Sequence, residues 1–418
     1  MNRDKPAVAV IFHRLGPYHI SRLKAAAHIF EVIAIEQSAE TAEYAWQKVV
    51  TPPEIRRITL FSATRNGVTA RELWRRATET LNTISSLRAV AIPGWSNLAA
   101  LVALRWCVAR NVPCIVMSES TAIDKGRSRW SEWIKKKILA LSPAALTGGS
   151  RHRDYLVELG FEPRHIFLGY DAVDNDYFRQ KAEEVSGRRS EVRKEYGLPE
   201  NYFLACARFI EKKNLFTLLR AYRGYRKAAR ESAWDLVLLG DGPLRSDLCR
   251  LISDLDLHDF VVLPGFKQYE ELPVFYALAG AFVHASRSEP WGLVVNEAMA
   301  SGLPIIVSNR CGCVPELLEE GRNGFSFAPE DADRLADLLL RMAALPDTER
   351  ERMARRSREI IALWSAERFA NGLRDAVEAA ECAPRRKIQP IAKVLLSSLI
   401  FARLASPKIL ERASSHSP

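Results

Sequence analysis

The chain alternates short apolar runs with amphipathic stretches, and it does so in two successive series. Six runs typical of buried strands lie in the first half, at residues 8–12, 32–35, 89–92, 114–117, 145–147 and 166–168. Six more lie in the second half, at residues 203–205, 236–239, 260–263, 281–284, 305–307 and 325–327. Amphipathic stretches such as 71–87 and 215–230 separate them. This alternation predicts an α/β fold, in which helices cover both faces of parallel sheets.

The length of 418 residues favours two domains, because single hydrophobic cores stop growing well below that size. We predict two doubly wound, Rossmann-like domains, over residues 1–175 and 200–364. The charged, strand-poor residues 176–199 are predicted to link them. Two such domains facing one another would form a cleft at the carboxyl ends of both sheets, where ligands bind in folds of this type.

The segment 286–302 has the most informative pattern, Ser-Arg-Ser-Glu-Pro-Trp-Gly-Leu-Val-Val-Asn-Glu-Ala-Met-Ala-Ser-Gly. It follows a predicted strand and opens a predicted helix, so Glu289 lies on the loop and Glu297 in the first helical turns. Gly292 allows close backbone approach, and the amides of Leu293 and Val294 suit a phosphate. A carboxylate just inside the helix can hold a pair of sugar hydroxyls. We interpret the segment as a sugar-nucleotide site; an ordinary βα unit with surface acids is the alternative for either glutamate alone.

This segment, with the Leu-Pro that follows it, resembles the retaining family 4 glycosyltransferases, which have the GT-B fold. The resemblance is strongest over residues 203–337, weaker over 8–178 and absent beyond 382. It implies that Glu289 lies beside the donor sugar and that Glu297 holds the nucleotide ribose. It also implies that a helix at 365–382 packs back on the first domain.

Two cations follow the first strand of the second series. Arg208 leaves the strand end and Lys213 opens the next helix, so together they can take the negative charge of a departing diphosphate. A solvated basic surface is the alternative, but the two also resemble an Arg…Lys pair of the family. Gly240 and the pair Gly265 and Phe266 follow the next two strands and read as turns. The resemblance implies that these loops lie along the nucleotide, with Gly265 and Phe266 near the base.

The first half holds the candidates for the acceptor side. The resemblance implies that the loop with Gly16, Tyr18 and His19 approaches the acceptor and the donor phosphates. The family usually has paired glycines there, whereas this chain has Gly16 alone; His19 is an acceptor, capping or structural residue. Glu119 stands where many members have a histidine and is the candidate sugar-facing group. Trp95 is interpreted as an acceptor contact or as a packed core residue.

We expect neither a metal nor another cofactor. Asp-x-Asp triplets, which hold a cation in glycosyltransferases of the other major fold, occur at 174–176, 254–256 and 331–333. All three fall in the linker or on helical surfaces, and Arg208 and Lys213 supply the positive charge instead. The seven cysteines form no Cys-x-x-Cys pair, and neither a signal peptide nor an apolar run of membrane-spanning length is seen. These features favour a cytoplasmic protein.

Positive charge is concentrated in two places. Residues 383–418 form a basic amphipathic tail with seven Lys or Arg against Glu411 alone, which accounts for +6 of the net +10. Residues 125–137 combine cations with two tryptophans. Either patch could bind an anionic membrane peripherally, and a solvated helix face is the alternative for each. No nucleic-acid partner is expected, since no segment resembles a nucleic-acid-binding module.

The sequence therefore predicts a retaining, metal-independent hexosyltransferase. It would move a sugar from a nucleoside-diphosphate sugar, UDP favoured over GDP, to a lipid-linked or cell-surface glycan at the cytoplasmic face of a membrane. The departing diphosphate would take the acceptor proton, while Glu289 positions the sugar. Two alternatives stay open: a GT-B epimerase or hydrolase that uses no acceptor, and a degenerate scaffold that binds glycans.

Overall fold

The computed structural model describes residues 5–39, 47–62, 69–123, 128–383 and 389–405. The chain divides into two compact units. Unit 1 comprises Met1–Ala172 together with Ala366–Pro418, and unit 2 comprises Val173–Ser365. Within the described ranges, no helix is both long enough and apolar enough to cross a bilayer.

Each unit contains one parallel sheet. The strands of the first sheet are β1 (Ala7–Phe12), β2 (Glu31–Ser38), β3 (Ile55–Phe61), β4 (Leu87–Pro93), β5 (Cys114–Ser118), β6 (Ala144–Thr147) and β7 (Ile166–Leu168), in the order β3-β2-β1-β4-β5-β6-β7. The strands of the second sheet are β8 (Tyr202–Cys206), β9 (Asp235–Leu239), β10 (Val261–Gly265), β11 (Ala281–His284), β12 (Ile305–Ser308) and β13 (Gly324–Phe327), in the order β10-β9-β8-β11-β12-β13. The strand order reverses beside β1 in one sheet and beside β8 in the other. The prediction of two doubly wound α/β units is confirmed.

Helices connect the strands. They are α1 (Pro17–Ala27), α2 (Ala70–Asn82), α3 (Leu98–Arg110), α4 (Arg129–Leu139), α5 (Ser150–Glu158), α6 (Asn175–Ser186), α7 (Arg189–Tyr196), α8 (Leu215–Ala229), α9 (Arg245–Asp254), α10 (Leu272–Leu278), α11 (Leu293–Ala300), α12 (Val314–Leu317), α13 (Ala332–Ala344), α14 (Asp347–Ala362), α15 (Ala366–Cys382) and α16 (Pro390–Ala405). A short 3₁₀ turn, Glu211–Lys213, precedes α8.

The cores explain why the strands read as continuous apolar runs. All six residues of β1 are buried, and they alternate between two clusters: Ala9 and Ile11 face one, while Val8 and Val10 face the other. The first cluster is covered by α2 to α5 and α16, the second by α1 and α15. A sheet covered on both faces needs apolar side chains in both directions, which removes the polar alternation.

One strand, β3, is absent from the predicted set. It lies at the edge of the first sheet, and Arg56 and Arg57 interrupt its apolar residues, so no continuous apolar run marks it. Arg57 nevertheless forms an ion pair of 2.6 Å with Glu36, a fully buried carboxylate of β2. The strand is thus fixed by a polar cross-strand contact that an apolar pattern does not reveal.

The two charged segments differ from their predicted forms. Residues 176–199, predicted as a linker, consist largely of α6 and α7, which bury Phe178 and Val192 inside unit 2. In the predicted tail, α16 packs against α3 and α4 and buries Ala392 and Leu396 in the unit 1 core. The other charged parts of the two patches, 384–388, 406–418 and 124–127, lie outside the described residues.

Candidate active site

The second sheet positions a polar cluster at its topological switch point. Strands β8 and β11 are neighbours, and the chain leaves both at the same edge of the sheet. The loop after β8 leads to Lys213, and the loop after β11 carries Glu289. Carboxyl-end loops at such a switch point form the ligand site of doubly wound sheets. The structure thus brings together two residues that are 76 positions apart.

Glu289 is a buried carboxylate surrounded by donors. Only 4% of its side chain is exposed, and its Oε2 forms an ion pair with the ammonium of Lys213. The hydroxyl of Ser286 donates a hydrogen bond of 3.1 Å to the same oxygen. The Nε2 atom of His284 lies 3.4 Å away. The backbone carbonyl of Glu289 accepts from Gly312 at 2.9 Å, which fixes the loop in place.

These contacts decide the charge of the site. Burial by itself would raise the pKa of Glu289, but Lys213 and the hydrogen bond from His284 outweigh it, so that pKa lies well below its usual value. Burial lowers the pKa of His284, against the opposing effect of Glu289. The pair at neutral pH is therefore a carboxylate and a neutral imidazole. An ionised Glu289 can accept hydrogen bonds or face a developing positive charge, but it cannot donate a proton.

Asn214 joins the two loops, and its role was not anticipated. Its backbone is left-handed at φ +58°, a conformation that asparagine tolerates better than most residues. Its buried side-chain amide donates to the carbonyls of Ala285 at 3.1 Å and Pro329 at 2.7 Å. Its oxygen accepts from Nε of Arg287 at 2.9 Å. The sequence offered one signal for this role: Asn214 comes directly after Lys213 and directly before a predicted helix, where asparagine can adopt a left-handed backbone conformation.

The amino end of α11 follows Glu289 directly. Gly292 adopts φ +107° and caps the helix, so Leu293 and Val294 occupy the first turn, where backbone amides have no partner within the helix. Trp291 is buried, and its indole nitrogen donates to Asn296 at 2.9 Å. The arrangement anchors the loop and leaves Gly292 half-buried. The helix starts where the sequence predicted, and phosphate binding at its first amides stays a prediction.

Glu297 occupies the interior of the same helix. Its side chain is fully buried, and the hydroxyl of Tyr276 on α10 donates to it at 2.6 Å. Tyr276 is a second residue that was not predicted from the sequence. It lies 21 positions from Glu297, and no local motif connects the two. Ribose binding at Glu297 stays a prediction; it would require the sugar hydroxyls to reach a carboxylate that is covered in this structure.

The remaining predicted donor residues lie at neighbouring loops of unit 2. Gly240 adopts φ +134°, and a Cβ atom there would lie 1.9 Å from the carbonyl oxygen of Ala207. Backbone packing is thus a sufficient reason for that glycine. Gly265 has φ +82° with open space around it, and Phe266 beside it is exposed. Arg208 is half-buried directly after β8.

In unit 1, the loop after β1 is organised by His19. Its Nδ1 atom accepts a hydrogen bond of 2.9 Å from the amide of Gly16, so His19 caps α1, and its ring packs 4.3 Å from that of Phe12. Burial and the charge of Arg22 lower the pKa of His19 to about 3. This geometry favours the capping interpretation. Tyr18 beside it is half-buried.

Trp95 and Glu119 follow neighbouring strands of the first sheet. Trp95 packs against the unit 1 core, as the structural alternative stated. Glu119 is half-buried beside Asp171, whose pKa is raised well above its usual range by burial, by the charge of Glu119 and by their hydrogen bond. Arg22 is buried with Asp171 at 3.9 Å and lies 4.9 Å over the ring of Tyr170. The structure therefore gives Glu119 a carboxyl partner that the sequence did not predict.

Two of the three Asp-x-Asp triplets, at 174–176 and 331–333, contain an aspartate that caps a helix. Asp174 caps α6 by accepting from the amide of Tyr177 at 2.9 Å, and Asp331 caps α13 by accepting from that of Arg334 at 2.8 Å. Across the described residues, no three His, Cys, Asp or Glu side chains gather in a group that could hold a metal ion.

The comparisons with known proteins address unit 2 most directly. Residues 188–360 match the family of glycosyl transferases group 1, and this range contains the whole cluster around Glu289. The predicted resemblance to group 1 glycosyltransferases is confirmed over these residues.

Two curated relatives that match part of the chain are also glycosyltransferases. Alpha-D-kanosaminyltransferase of Streptomyces kanamyceticus is 28% identical over 56% of this chain and 60% of its own length. The GDP-mannose-dependent alpha-(1-6)-phosphatidylinositol monomannoside mannosyltransferase of Mycobacterium tuberculosis is 31% identical over 50% of this chain and 55% of its own length. The matched part of the chain thus spans little more than half of these relatives.

Solved structures establish the fold over nearly the whole chain. A glycosyltransferase from Rickettsia africae superimposes with a TM-score of 0.69 at 14% identity, covering 91% of this chain and 100% of that one. The Anabaena protein Alr3699/HepE in complex with UDP gives 0.68 at 14% identity, covering 89% and 99%. The chain therefore has the predicted GT-B fold.

Proposed function

We propose that this chain is a retaining glycosyltransferase that uses a nucleoside-diphosphate sugar. The observation that carries the proposal is the cluster at the switch point of the second sheet. It combines an ionised, buried Glu289 with the ammonium of Lys213 and the free amides at the start of α11. A carboxylate that remains charged suits a developing oxocarbenium ion, while cations and helix amides suit a diphosphate.

The donor is proposed to be a UDP-sugar in preference to a GDP-sugar. Arg208 and Lys213 supply positive charge where the diphosphate departs, so we propose that no metal is required. The solved neighbour from Anabaena contains UDP, whereas the mycobacterial relative is named for GDP-mannose. Both nucleotides therefore belong in the test of the donor.

The proposed mechanism is a same-face substitution. The bond from the anomeric carbon to the diphosphate oxygen breaks, and the diphosphate takes the electron pair, stabilised by Arg208 and Lys213. The acceptor hydroxyl forms its bond to the same face of the anomeric carbon and passes its proton to a diphosphate oxygen. Glu289, held ionised, accepts hydrogen bonds from sugar hydroxyls. Because its pKa is depressed, Glu289 is assigned no proton transfer.

The acceptor is proposed to be a lipid-linked or cell-surface glycan, met at the cytoplasmic face of a membrane. Two relatives are named as glycosyltransferases of colanic acid biosynthesis, in Salmonella typhimurium, and of amylovoran biosynthesis, in Erwinia amylovora. The mycobacterial relative is named for a phosphatidylinositol mannoside. These names support a glycan or glycolipid acceptor class without fixing its sugar.

The test is nucleotide binding by thermal shift, with UDP and GDP, on the wild type and on Lys213→Ala. The exposed Lys227 on α8 provides the matched control, as Lys227→Ala. Ligand at 100 times its dissociation constant stabilises by about 2.7 kcal/mol. We expect a shift with UDP that Lys213→Ala loses and Lys227→Ala keeps. No shift with either nucleotide would contradict the proposal and favour the scaffold alternative.

Product analysis then separates transfer from hydrolysis. Incubation with UDP-glucose and a mixture of glycan acceptors should give an α-linked product detectable by NMR from an α-configured donor. Release of free sugar at the same rate with and without acceptor would favour the hydrolase alternative. Formation of a β-linked product would contradict retention.

A further inference from the structure

Helix α16 has apolar side chains on two opposite faces. Ala392, Leu396 and Ile400 recur every fourth residue and are buried in the unit 1 core. On the outer side, Val394 and Phe401 keep 61% and 59% of their surface exposed, at a spacing of seven residues that returns to the same side of a helix. The outer face is therefore an apolar stripe in contact with solvent, and Ile391, 45% exposed, extends it.

An outer stripe of this kind differs from an ordinary surface helix. A helix that covers a core on one side normally presents polar residues on the other, and one that is apolar all round is normally buried all round. The buried residues of α16 already account for its packing on unit 1. Phe401 has its ring centroid 6.1 Å from that of Trp74 on α2, yet more than half of its surface stays exposed, as does that of Val394. The solvent-facing parts of both side chains are therefore available to another partner.

A second apolar–cationic surface adjoins the first, on α4. Lys137 of α4 donates from Nζ to the side-chain oxygen of Gln389, just before α16, at 2.9 Å. Trp130 at the start of α4 is 68% exposed and stacks on Trp133 with ring centroids 5.0 Å apart. The two basic–apolar patches of the sequence, far apart along the chain, are thus neighbours on unit 1. We call them together the α4–α16 surface.

The charge of the α4–α16 surface identifies the kind of partner. Helix α16 contains no acidic residue, and Glu132 is the one acid of α4. Glu132 is neutralised locally, since it accepts from Lys135 at 2.7 Å and from the hydroxyl of Tyr155 at 3.0 Å. The two helices hold six Lys or Arg: Arg129, Lys135, Lys136, Lys137, Lys393 and Arg403. Lys135 is paired with Glu132, and Arg403 donates to the carbonyl of Ser96, so the other four carry most of the positive charge offered to a partner.

We propose that the α4–α16 surface binds an anionic lipid membrane. The outer side chains of α16 and the exposed indole of Trp130 would enter the boundary between headgroups and acyl chains, while the cations contact lipid phosphates. A second copy of the chain fits less well, because two cationic surfaces would repel each other. The inference rests on the membrane location in the proposed function and names the surface responsible, but vesicle binding itself requires no sugar transfer.

The experiment is vesicle flotation of the full chain. The probes are vesicles of phosphatidylcholine alone and vesicles of phosphatidylcholine with an equal amount of phosphatidylglycerol. We expect binding to the second kind and a loss of that binding at high salt, because exposed charges are screened. The double variant Val394→Glu/Phe401→Glu should bind about tenfold or more weakly, since both side chains would have to enter the interface as charges.

The controls distinguish this result from misfolding and from self-association. Both substituted positions keep more than half of their surface exposed, and of the two only Phe401 has a ring contact, with Trp74, so the thermal midpoint should fall only slightly and the variant should stay folded. Val50→Glu places a charge on another exposed apolar residue of unit 1, 88% exposed. This control should bind as the wild type does. A double variant that binds anionic vesicles normally would overturn the proposal, as would a wild-type dimer that the double variant abolishes in light scattering. The nucleotide-induced thermal shift is measured separately, so its presence or absence leaves this result interpretable.

Discussion

At Glu289, a single ion pair sets the chemistry of the candidate site. A buried carboxylate is costly without a partner, and removing one member of a buried pair usually costs more than replacing both. Here Lys213 is that partner, while Ser286 adds a hydrogen bond. The pair therefore keeps the Glu289 carboxylate charged, and its two members must be assessed together.

Lys213→Ala should destabilise unit 2 by about 3 kcal/mol, because it leaves the Glu289 carboxylate buried without its cation. Urea unfolding near neutral pH measures the loss. Adding Glu289→Gln to the same chain should recover most of the stability, since the amide carries no charge. Because the pKa of Glu289 is depressed in the folded chain, the ion pair stabilises unit 2 fully at pH values above the ordinary carboxyl pKa. This stabilisation is lost as the pH falls further and the carboxylate is protonated. The deficit of Lys213→Ala should therefore shrink in acid; an equal deficit at all pH values would contradict this account.

His19 should make unit 1 sensitive to acid. Its pKa is about 3 in the folded chain against an ordinary value of 6.5, so between these values the unfolded chain binds a proton that the folded chain does not. Stability is complete above about pH 6.5 and falls toward pH 3. His19→Gln keeps an acceptor at the third helical position for the amide of Gly16 and removes the proton uptake. Urea midpoints of the variant should fall less in acid and match the wild type near neutral pH.

Among the elements, α11 depends most on one backbone conformation. Gly292→Ala should destabilise by about 1–2 kcal/mol, because its φ of +107° is strained for any residue with a Cβ atom. The nearest side-chain atom would lie 3.5 Å away, so the effect comes from the backbone and not from a clash. The control is Gly187→Ala: its φ is −74°, with nothing within 4 Å, and the change should be neutral or slightly stabilising. Thermal midpoints of both variants check this; an equal effect would rule out strain at Gly292.

Some strands and helices could be predicted from the sequence, and others could not. The β11–α11 unit was predictable because a short apolar run, a glycine and a helix with a carboxylate follow one another locally. Strand β3 was not, since Arg56 and Arg57 interrupt the apolar run that identified the other strands. Helix α16 was recognised as amphipathic, but which of its apolar faces the core would cover depends on α3 and α4.

The candidate site shows the same division between local and long-range information. Glu289, Glu297 and Lys213 were found from motifs, and the first and last of these prove to be direct partners. Asn214 and Tyr276 were missed because they act across the fold, through carbonyls of other loops and through the Glu297 carboxylate. A local pattern indicates the type of chemistry, whereas the shell that supports it comes from tertiary contacts.

At the scale of the whole molecule, the chain leaves unit 1 at Ala172 and returns to it at Ala366. Unit 2 has its own buried core, which includes Phe203 and Leu218, and unit 1 has separate clusters on the two faces of its sheet. Each unit thus buries the apolar faces of its own sheet in its own core. We therefore expect each unit to unfold cooperatively.

We therefore expect two transitions in calorimetry, each responsive to a different change. UDP should raise the transition of unit 2 alone, because a ligand stabilises the element that binds it. Leu396→Ala should reduce the free energy of unfolding of unit 1 by about 2–4 kcal/mol, because Leu396 is 1% exposed in that core. The transition temperature of unit 1 should fall accordingly. Val394→Ala on the outer face of α16 is the matched control and should leave both transitions in place. If UDP instead raised the transition that Leu396→Ala lowers, nucleotide binding would not belong to unit 2, and the assignments at Lys213, Glu289 and Glu297 would fail together.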